Sequence, residues 1–396
     1  TTTLQMDSEG YLEGGGTCTL SAGATLGVTS ADGISTSGAT GNVRTAGRVF
    51  LAGSNLIYNG DVDQVAGSGL ANTTKANVTI NNPGNTVTLS GNTTISAGLT
   101  VTAGSTLDVS SFTFNGPTSV SLGCGSTTAT AIEGTGLITL AGPISTTDAG
   151  TGTNGATISA PIALAANRTF TIADDGSSAP DLTISGVIST GFGITKAGAG
   201  EMVLSGNNTY TGSTTISEGT VILGASDRIA NTSQISLGGG TFSTGATAGY
   251  SETVGTLNLT DNSTINLGTG VHTLTFANSS GVGWTAGKVL TINGWTGIIE
   301  TSGGGDAGKI IVGVGGLTST QLAQVAFSGY SQGAVITASG ELVPKAKFFY
   351  STSSSTPETP GNWNTERNGT GTAAVAGDFT ASGVYFIIQG SGNGGT

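Results

Sequence analysis

The sequence predicts an all-β fold: a parallel β-solenoid of the right-handed β-helix type, followed by a small C-terminal β module. Three observations carry this. Only 9% of the 396 residues are charged and 69 are glycine, whereas a soluble globular protein carries about 25% charged residues. Apolar residues come in short pulses alternating with polar ones, the period of a strand with one buried face. Each pulse closes on Gly, Asn, Pro or Ala-Gly, with Gly and Asn the residues that most readily turn a chain.

Composition also excludes several classes. The glycines have no G-X-Y period, so the chain is not collagen-like. A mean hydropathy of +0.15 is too high for a solvated disordered chain. The net charge of −12, with no basic patch, repels phosphate backbones and argues against a nucleic-acid partner. No run of about 18 apolar residues occurs, so no transmembrane segment is expected. Residues 1–10 have neither a basic start nor an apolar core, and the chain reads as a mature product or an excised piece.

The clearest strand grammar lies between 76 and 123, where NVTI, TVTL, TTIS, LTVT, TLDV, FTFN and SVSL succeed one another. Strands this short, with few large apolar residues, cannot build a wide core. They can build a solenoid, in which each coil pairs its backbone with the next. Coils of about 20–25 residues rising about 4.8 Å would give a rod of roughly 80 Å. Outward Thr suits the pleat, and Asn or Thr stacked on successive coils can form hydrogen-bonded ladders.

The grammar continues through TISAPIAL (157–164), RTFTIADD (168–175), DLTISGVIS (181–189), TLNLTDNSTINLG (256–268), HTLTFANSS (272–280) and KVLTING (288–294). One short helix is expected in 316–331, where Leu317, Leu322, Val325 and Ala326 have helical spacing. Thr318 or Ser319 would cap its start, and it would run about two turns. The register changes near 344–350. TSSSTPETPGN then reads as a loop, and VYFIIQ (384–389) as an apolar strand. Turn residues cluster near 143–157, so the expected division is 1–150, 151–344 and a module at 345–396.

Residues 195–224, TKAGAGEMVLSGNNTYTGSTTISEGTVILG, resemble the autotransporter-associated β-strand repeat. Lys196, Gly198, Gly200, Val203, Leu204, Gly206, Asn208, Tyr210, Gly212, Thr214, Gly219, Val221 and Leu223 occupy the motif positions, while Met202 departs from it. More broadly, FFYSTSSSTPETPGNWNTERNGTGTAAVAGDFTASGVYFIIQ resembles the opening module of giant secreted Bacteroidetes surface proteins of adhesin type. LEGGGTCTLSAGATLGVTSADGIS and IYNGDVDQVAGSGLANTTKANVTINN resemble later parts of the same module. The resemblance implies an extracellular or cell-surface location in a Gram-negative bacterium and export by type IX secretion, although no sorting domain is recognisable. Because the opening half stands last and its continuation first, the chain reads as one period of a tandem array or a subunit stacking head to tail into a filament.

Candidate sites are few. The single histidine, His272, is read from alternation as a strand-surface residue, with a general base as the sharper alternative. One His and two distant Cys cannot make a zinc site. Cys18 and Cys124 fall several coils apart, which disfavours an internal disulfide. Pairing between them or with a neighbouring chain stays open beside the plain reading of two small half-buried residues.

Asp61 with Asp63, and Asp174 with Asp175 and Asp181, are the acidic clusters. They are turn residues first, a calcium site at Asp174, Asp175 and Asp181 second, and a glycosidase pair last. No other cofactor is expected, and the chain is read as a non-enzyme. Trp284 and Trp295 would plug a solenoid end. Phe348, Phe349, Tyr350, Trp363, Tyr385 and Phe386 would form a packed cap or a subunit interface, with an aromatic glycan platform as the alternative. Sequons such as Asn72, Asn77, Asn92, Asn207 and Asn258 say little in so Thr-rich a chain. The expected function is a surface fibre or matrix filament, with an adhesin-like rod binding glycans or other cells as the alternative.

Overall fold

A computed structural model describes residues 2–71, 74–150, 152–177, 179–303, 308–330, 333–351, 360–365, 372–380, 382 and 384–387. Asn72, residues 352–359 of the expected loop and the end of VYFIIQ at 388–389 lie outside the described residues, as do 391–396. The chain is all-β, 46% strand and 3% helix, and its parallel sheets stack as a β-solenoid of about 12 turns. It packs as two compact units, Thr1–Phe242 and Ser243–Thr396. The anticipated divisions at 150 and 344 fall inside these units.

In unit 1 each coil is built from up to three short strands. The coil that starts at Gly98–Val101 continues through Thr106–Asp108 and Phe114–Asn115. The next runs through Ser119–Cys124, Thr130–Glu133 and Ile138–Leu140. Each strand pairs in parallel with its counterpart one coil on: Leu99 with Val120, Leu107 with Ile132, Phe114 with Ile138. Inter-coil hydrogen bonds such as Gly98 N to Asn77 Oδ1 and Ile188 N to Asn208 Oδ1 span 21 and 20 residues, as the 20–25-residue pulse spacing implies.

Parallel register stacks like upon like. One inward column runs Leu4, Leu26, Leu56, Val78, Leu99, Val120, Ile144, Phe170, Lys196, Ile216, Leu237. From Leu26 to Phe170 every member is at most 2% exposed. Each such side chain contributes about 1.5–3 kcal/mol by leaving water, and the core is a line of such columns rather than a wide centre.

Polar side chains stack as well. Asn77 Nδ2 donates to Asn55 Oδ1 at 2.9 Å, and Asn77 Oδ1 accepts from Gly98 N at 3.0 Å. The expected asparagine ladder is therefore present.

The first coil of unit 1 holds β1 (Thr3–Gln5) and β2 (Leu12–Leu20). They pair with β3 (Thr25–Val28) and β4 (Val43–Phe50) respectively. The β2–β4 pair carries a bulge between Gly14 and Thr17.

In unit 2, Glu252–Leu259, His272–Ala277 and Gly308–Ile311 form one parallel ladder, and Ser263–Asn266, Leu290–Asn293 and Val325–Phe327 another. The helix, α1, covers only Ser319–Ala323. Thr318 caps it in a reciprocal box: Gln321 N donates to Thr318 Oγ1 and Thr318 N to Gln321 Oε1. It stops one turn earlier than its apolar spacing predicts, because Val325 and Phe327 enter the parallel ladder beside Leu290 and Ile292. Ladder pairing outweighs a marginal two-turn helix.

His272 corrects another expectation. It is 3% exposed and shares its phase with the buried Leu274 and Phe276, whereas Val271 is 72% exposed. Alternation is intact, but the histidine lies on its inward side. Its Nε2 bonds Thr244 Oγ1 and its Nδ1 bonds Gly270 O, both at 2.9 Å. A Cβ on Gly249 or Gly308 would stand 2.1 and 2.3 Å from the ring, so glycine on both flanks makes room for it.

Candidate functional site

The repeat at 194–223 shows what its unusual residues do. Its strands are Ile194–Ala197, Glu201–Leu204, Thr214–Ile216 and Thr220–Leu223. Lys196 sits in the apolar column and is wholly buried. Its ammonium donates to Ala197 O (3.1 Å), Gly198 O (2.6 Å) and Glu218 O (3.2 Å), one carbonyl for each of its three protons. Gly198 turns the chain at φ +76° so that its carbonyl can face the ammonium. Burial lowers the Lys196 pKa to about 8, against the opposing pull of Glu218, Asp181 and Glu201.

On the third side of this coil no regular strand forms, and Asn208 supplies the missing rung. Its Oδ1 accepts from Ile188 N at 2.8 Å on one neighbouring coil, and its Nδ2 donates to Arg228 O at 2.9 Å on the other. The side-chain amide thus stands in for a peptide group in the ladder. Tyr210 is fully buried, and its hydroxyl meets Thr214 Oγ1 at 2.7 Å, which continues to Ser233 Oγ at 3.2 Å. Gly206 and Gly212 serve close approach. A Cβ there would stand 2.4 Å from Gly186 O and 2.2 Å from Gly193 N.

The acidic residues at 174–181 do not converge as a set of three. Asp174 is exposed and its Oδ1 accepts from Gly176 N at 2.8 Å. Asp175 Oδ1 accepts from Ser177 N at 2.8 Å. Asp181 is 2% exposed and accepts Asp175 N at 2.8 Å on one oxygen and Glu201 N at 2.7 Å on the other. Each carboxylate therefore ties down backbone donors at a corner.

Burial pushes the Asp181 carboxyl above its usual range, with those two backbone bonds pulling the other way. Burial also opposes the charge on Asp175, but the hydrogen bonds of Ser177, Asp181 and the Gly125 amide together outweigh it and its pKa falls. The groups that do come together are Asp175, Asp181 and Cys124, with ligand atoms within 4.8 Å of one another. The two aspartates were legible as a cluster, while Cys124, about fifty residues earlier in the chain, is brought there only by coil stacking. Its thiol is buried, free and raised to about 11, by burial first. Cys18 is likewise free and half-buried. Asp63 accepts Thr86 N at 2.9 Å, again a backbone tie.

In the C-terminal module, Trp363–Asn364, Lys347–Ser351 and Val384–Ile387 form a three-stranded sheet. Phe349 and Trp363 are buried in it with Ala374, and Phe386 and Val384 pack against them. Phe386 stacks on Phe349 at 5.4 Å and meets Trp363 edge-on at 4.8 Å. On the other face Phe348 and Tyr385 stack at 5.2 Å and are 43% and 49% exposed. Tyr350 is half-buried. Trp295 packs edge-on against Phe327 and Tyr330 at 5.5 and 5.3 Å, and Trp284 Nε1 donates to Leu257 O at 3.1 Å.

A family model described as the passenger-associated-transport-repeat matches residues 194–223. With the β-solenoid fold, the match fits an autotransporter passenger-type repeat protein. No curated protein and no solved structure matches the chain significantly. Among the described residues no helix is long and apolar enough to cross a membrane.

Proposed function

We propose that this chain is an extracellular structural β-solenoid that forms or extends a surface fibre or matrix filament by end-to-end stacking, with no catalytic step of its own. One observation carries the reading: the residues that look chemical are spent on coil stacking. Lys196, Asn208 and Asp181 each satisfy backbone groups, and Lys196 and Asn208 join successive coils directly. The passenger-type repeat supports a location outside the cell or on its surface. The same use of the carboxylates favours a chain that folds without calcium.

The adhesin reading rests on a different feature. Two surface hollows of about 380 and 480 Å³ share Thr36 and are lined by Asp32, Ser35, Thr40, Ser68 and Arg48, with Phe50 as an apolar wall. Hydroxyls beside an apolar wall suit a saccharide. Negative-stain microscopy together with a glycan array separates the two. Filaments with an axial repeat of one chain support the fibre. Discrete particles that bind a glycan, and lose it on Arg48→Ala, support the adhesin. Turnover of a polysaccharide would overturn both.

A further inference from the structure

We propose that Cys124, Asp175 and Asp181 form a zinc site at a corner of unit 1, with the Cys124 thiolate and one oxygen of each aspartate as ligands and water completing the coordination. The site goes beyond the fibre reading and does not depend on it.

Coil stacking builds the donor set. Cys124 ends the strand Ser119–Cys124, and its register partner one coil on is Asp148. Asp175 and Asp181 lie on the corner that follows the next strand of that ladder, Arg168–Thr171. The three ligand atoms lie within 4.8 Å of one another. A point amid three atoms that close is at most about 2.8 Å from each. Zinc needs about 2.3 Å to sulfur and about 2.0–2.2 Å to oxygen, so closing by about half an ångström completes the set.

Two observations besides the clustering point to a ligand. Asp175 Oδ1 accepts Ser177 N, but Asp175 Oδ2 is sealed from solvent and no donor reaches it in hydrogen-bonding geometry. Beside it the Cys124 thiol is 0% exposed. Gly125 keeps this corner open, since a Cβ there would stand 2.3 Å from Asp148 Oδ1 and 3.3 Å from Asp175 Cβ. Buried carboxylates also require a counter-charge. Among the described residues neither aspartate is in an ion pair, the pairs being Lys288–Asp261 and Lys347–Asp378. Lys196 feels the Asp181 charge, but its three protons go to carbonyls.

The donor set selects the ion. Calcium takes about six to eight oxygens, whereas a thiolate with two carboxylates suits zinc. Each Asp181 oxygen keeps a lone pair after accepting its backbone N–H, so the corner ties and the metal coexist. Those ties orient the carboxylate. The Thr146 hydroxyl, which accepts Ala173 N at 2.8 Å and bonds the Cys124 sulfur, orients the thiol. Because the ties hold the corner by themselves, the chain folds without the metal. Binding breaks the Cys124 S–H bond, forms an S–Zn bond and releases the proton to solvent. Burial first, then the charges of Asp181, Asp175 and Asp148, hold that proton on the sulfur. Affinity therefore rises with pH, by about tenfold per unit while the thiol is protonated.

The test uses the full chain, stripped of metal by a chelator that is then removed. Cobalt(II), a coloured stand-in for zinc, should bind and give a sulfur-to-cobalt charge-transfer band, which added zinc then bleaches. Zinc should raise the melting temperature with its concentration, since it binds the folded state. Cys124→Ser should abolish the band and Cys18→Ser should leave it. Asp175→Asn, which keeps an acceptor for Ser177 N, should weaken cobalt binding by at least about tenfold. Absence of the band at millimolar cobalt overturns the site, as does a band that survives Cys124→Ser or is lost in Cys18→Ser. If Cys124→Ser does not fold, Asp175→Asn decides, and an unchanged affinity there overturns the site as well.

Discussion

Lys196 occupies the rung next to Phe170 in the inward column of unit 1, and its ammonium is held by three backbone carbonyls at the adjoining corner. A charge in an apolar column is tolerated because every proton has an acceptor, but desolvation still lowers its pKa from 10.5 to about 8. Between those two pH values the unfolded chain holds the proton and the folded chain has released it. Stability therefore rises with pH across that window. Lys75, also buried and lowered to about 8, adds a slope of the same sign. Lys196→Met should flatten the slope of the urea midpoint between pH 8 and 10.5. It should also cost about 3 kcal/mol at pH 7, where the carbonyls lose a charged donor. An unchanged slope would remove Lys196 from the account.

Asn208 offers a sharper substitution test. Asn208→Ala strands Ile188 N and Arg228 O together and should cost about 2–3 kcal/mol. Asn208→Asp keeps the acceptor for Ile188 N but places a carboxylate against Arg228 O, so it should destabilise at pH 7 and recover as the pH falls toward 4. Urea melts at the two pH values read this directly. Equal losses for both variants at every pH would mean that the amide acts only by its size.

Gly206→Ala tests close approach alone, since the position is not in the left-handed region and the obstacle is Gly186 O at 2.4 Å from a new Cβ. A loss of about 2 kcal/mol or more is expected, in the range of overpacking. Hydrogen exchange should speed first at Ser205 and Gly206, whose amides bond Ile184 O. A neutral variant would show that neighbouring coils separate without cost.

The acidic corner predicts indifference to calcium. Asp181→Asn keeps one acceptor but turns an amide NH₂ toward either Asp175 N or Glu201 N, and should cost about 1–3 kcal/mol. Millimolar calcium or a calcium-selective chelator should leave the melting temperature of the unsubstituted protein unchanged. A calcium-dependent rise that disappears in Asp181→Asn would assign the corner to calcium after all.

What the sequence by itself determined is the local grammar. Period-2 pulses such as NVTI and LTVT (77–80 and 99–102), closed by Gly and Asn, dictate short half-buried strands, and short strands without a wide core dictate stacking. The asparagine ladder at Asn55 and Asn77 and the cap at Thr318 were legible for the same reason, because each depends on near neighbours or on the coil period. The phase of His272 was misread as outward, although Leu274 and Phe276, two and four residues on, share it and carried the signal for an inward side chain.

Only the tertiary structure decided which residues meet across coils. Coil lengths vary by several residues, so the partner of a given position cannot be counted off. Cys124 thus reaches Asp175 and Asp181, Lys196 finds Glu218 O, and Asn208 spans Ile188 and Arg228. The length of α1 was settled the same way, by a ladder that claimed Val325–Phe327.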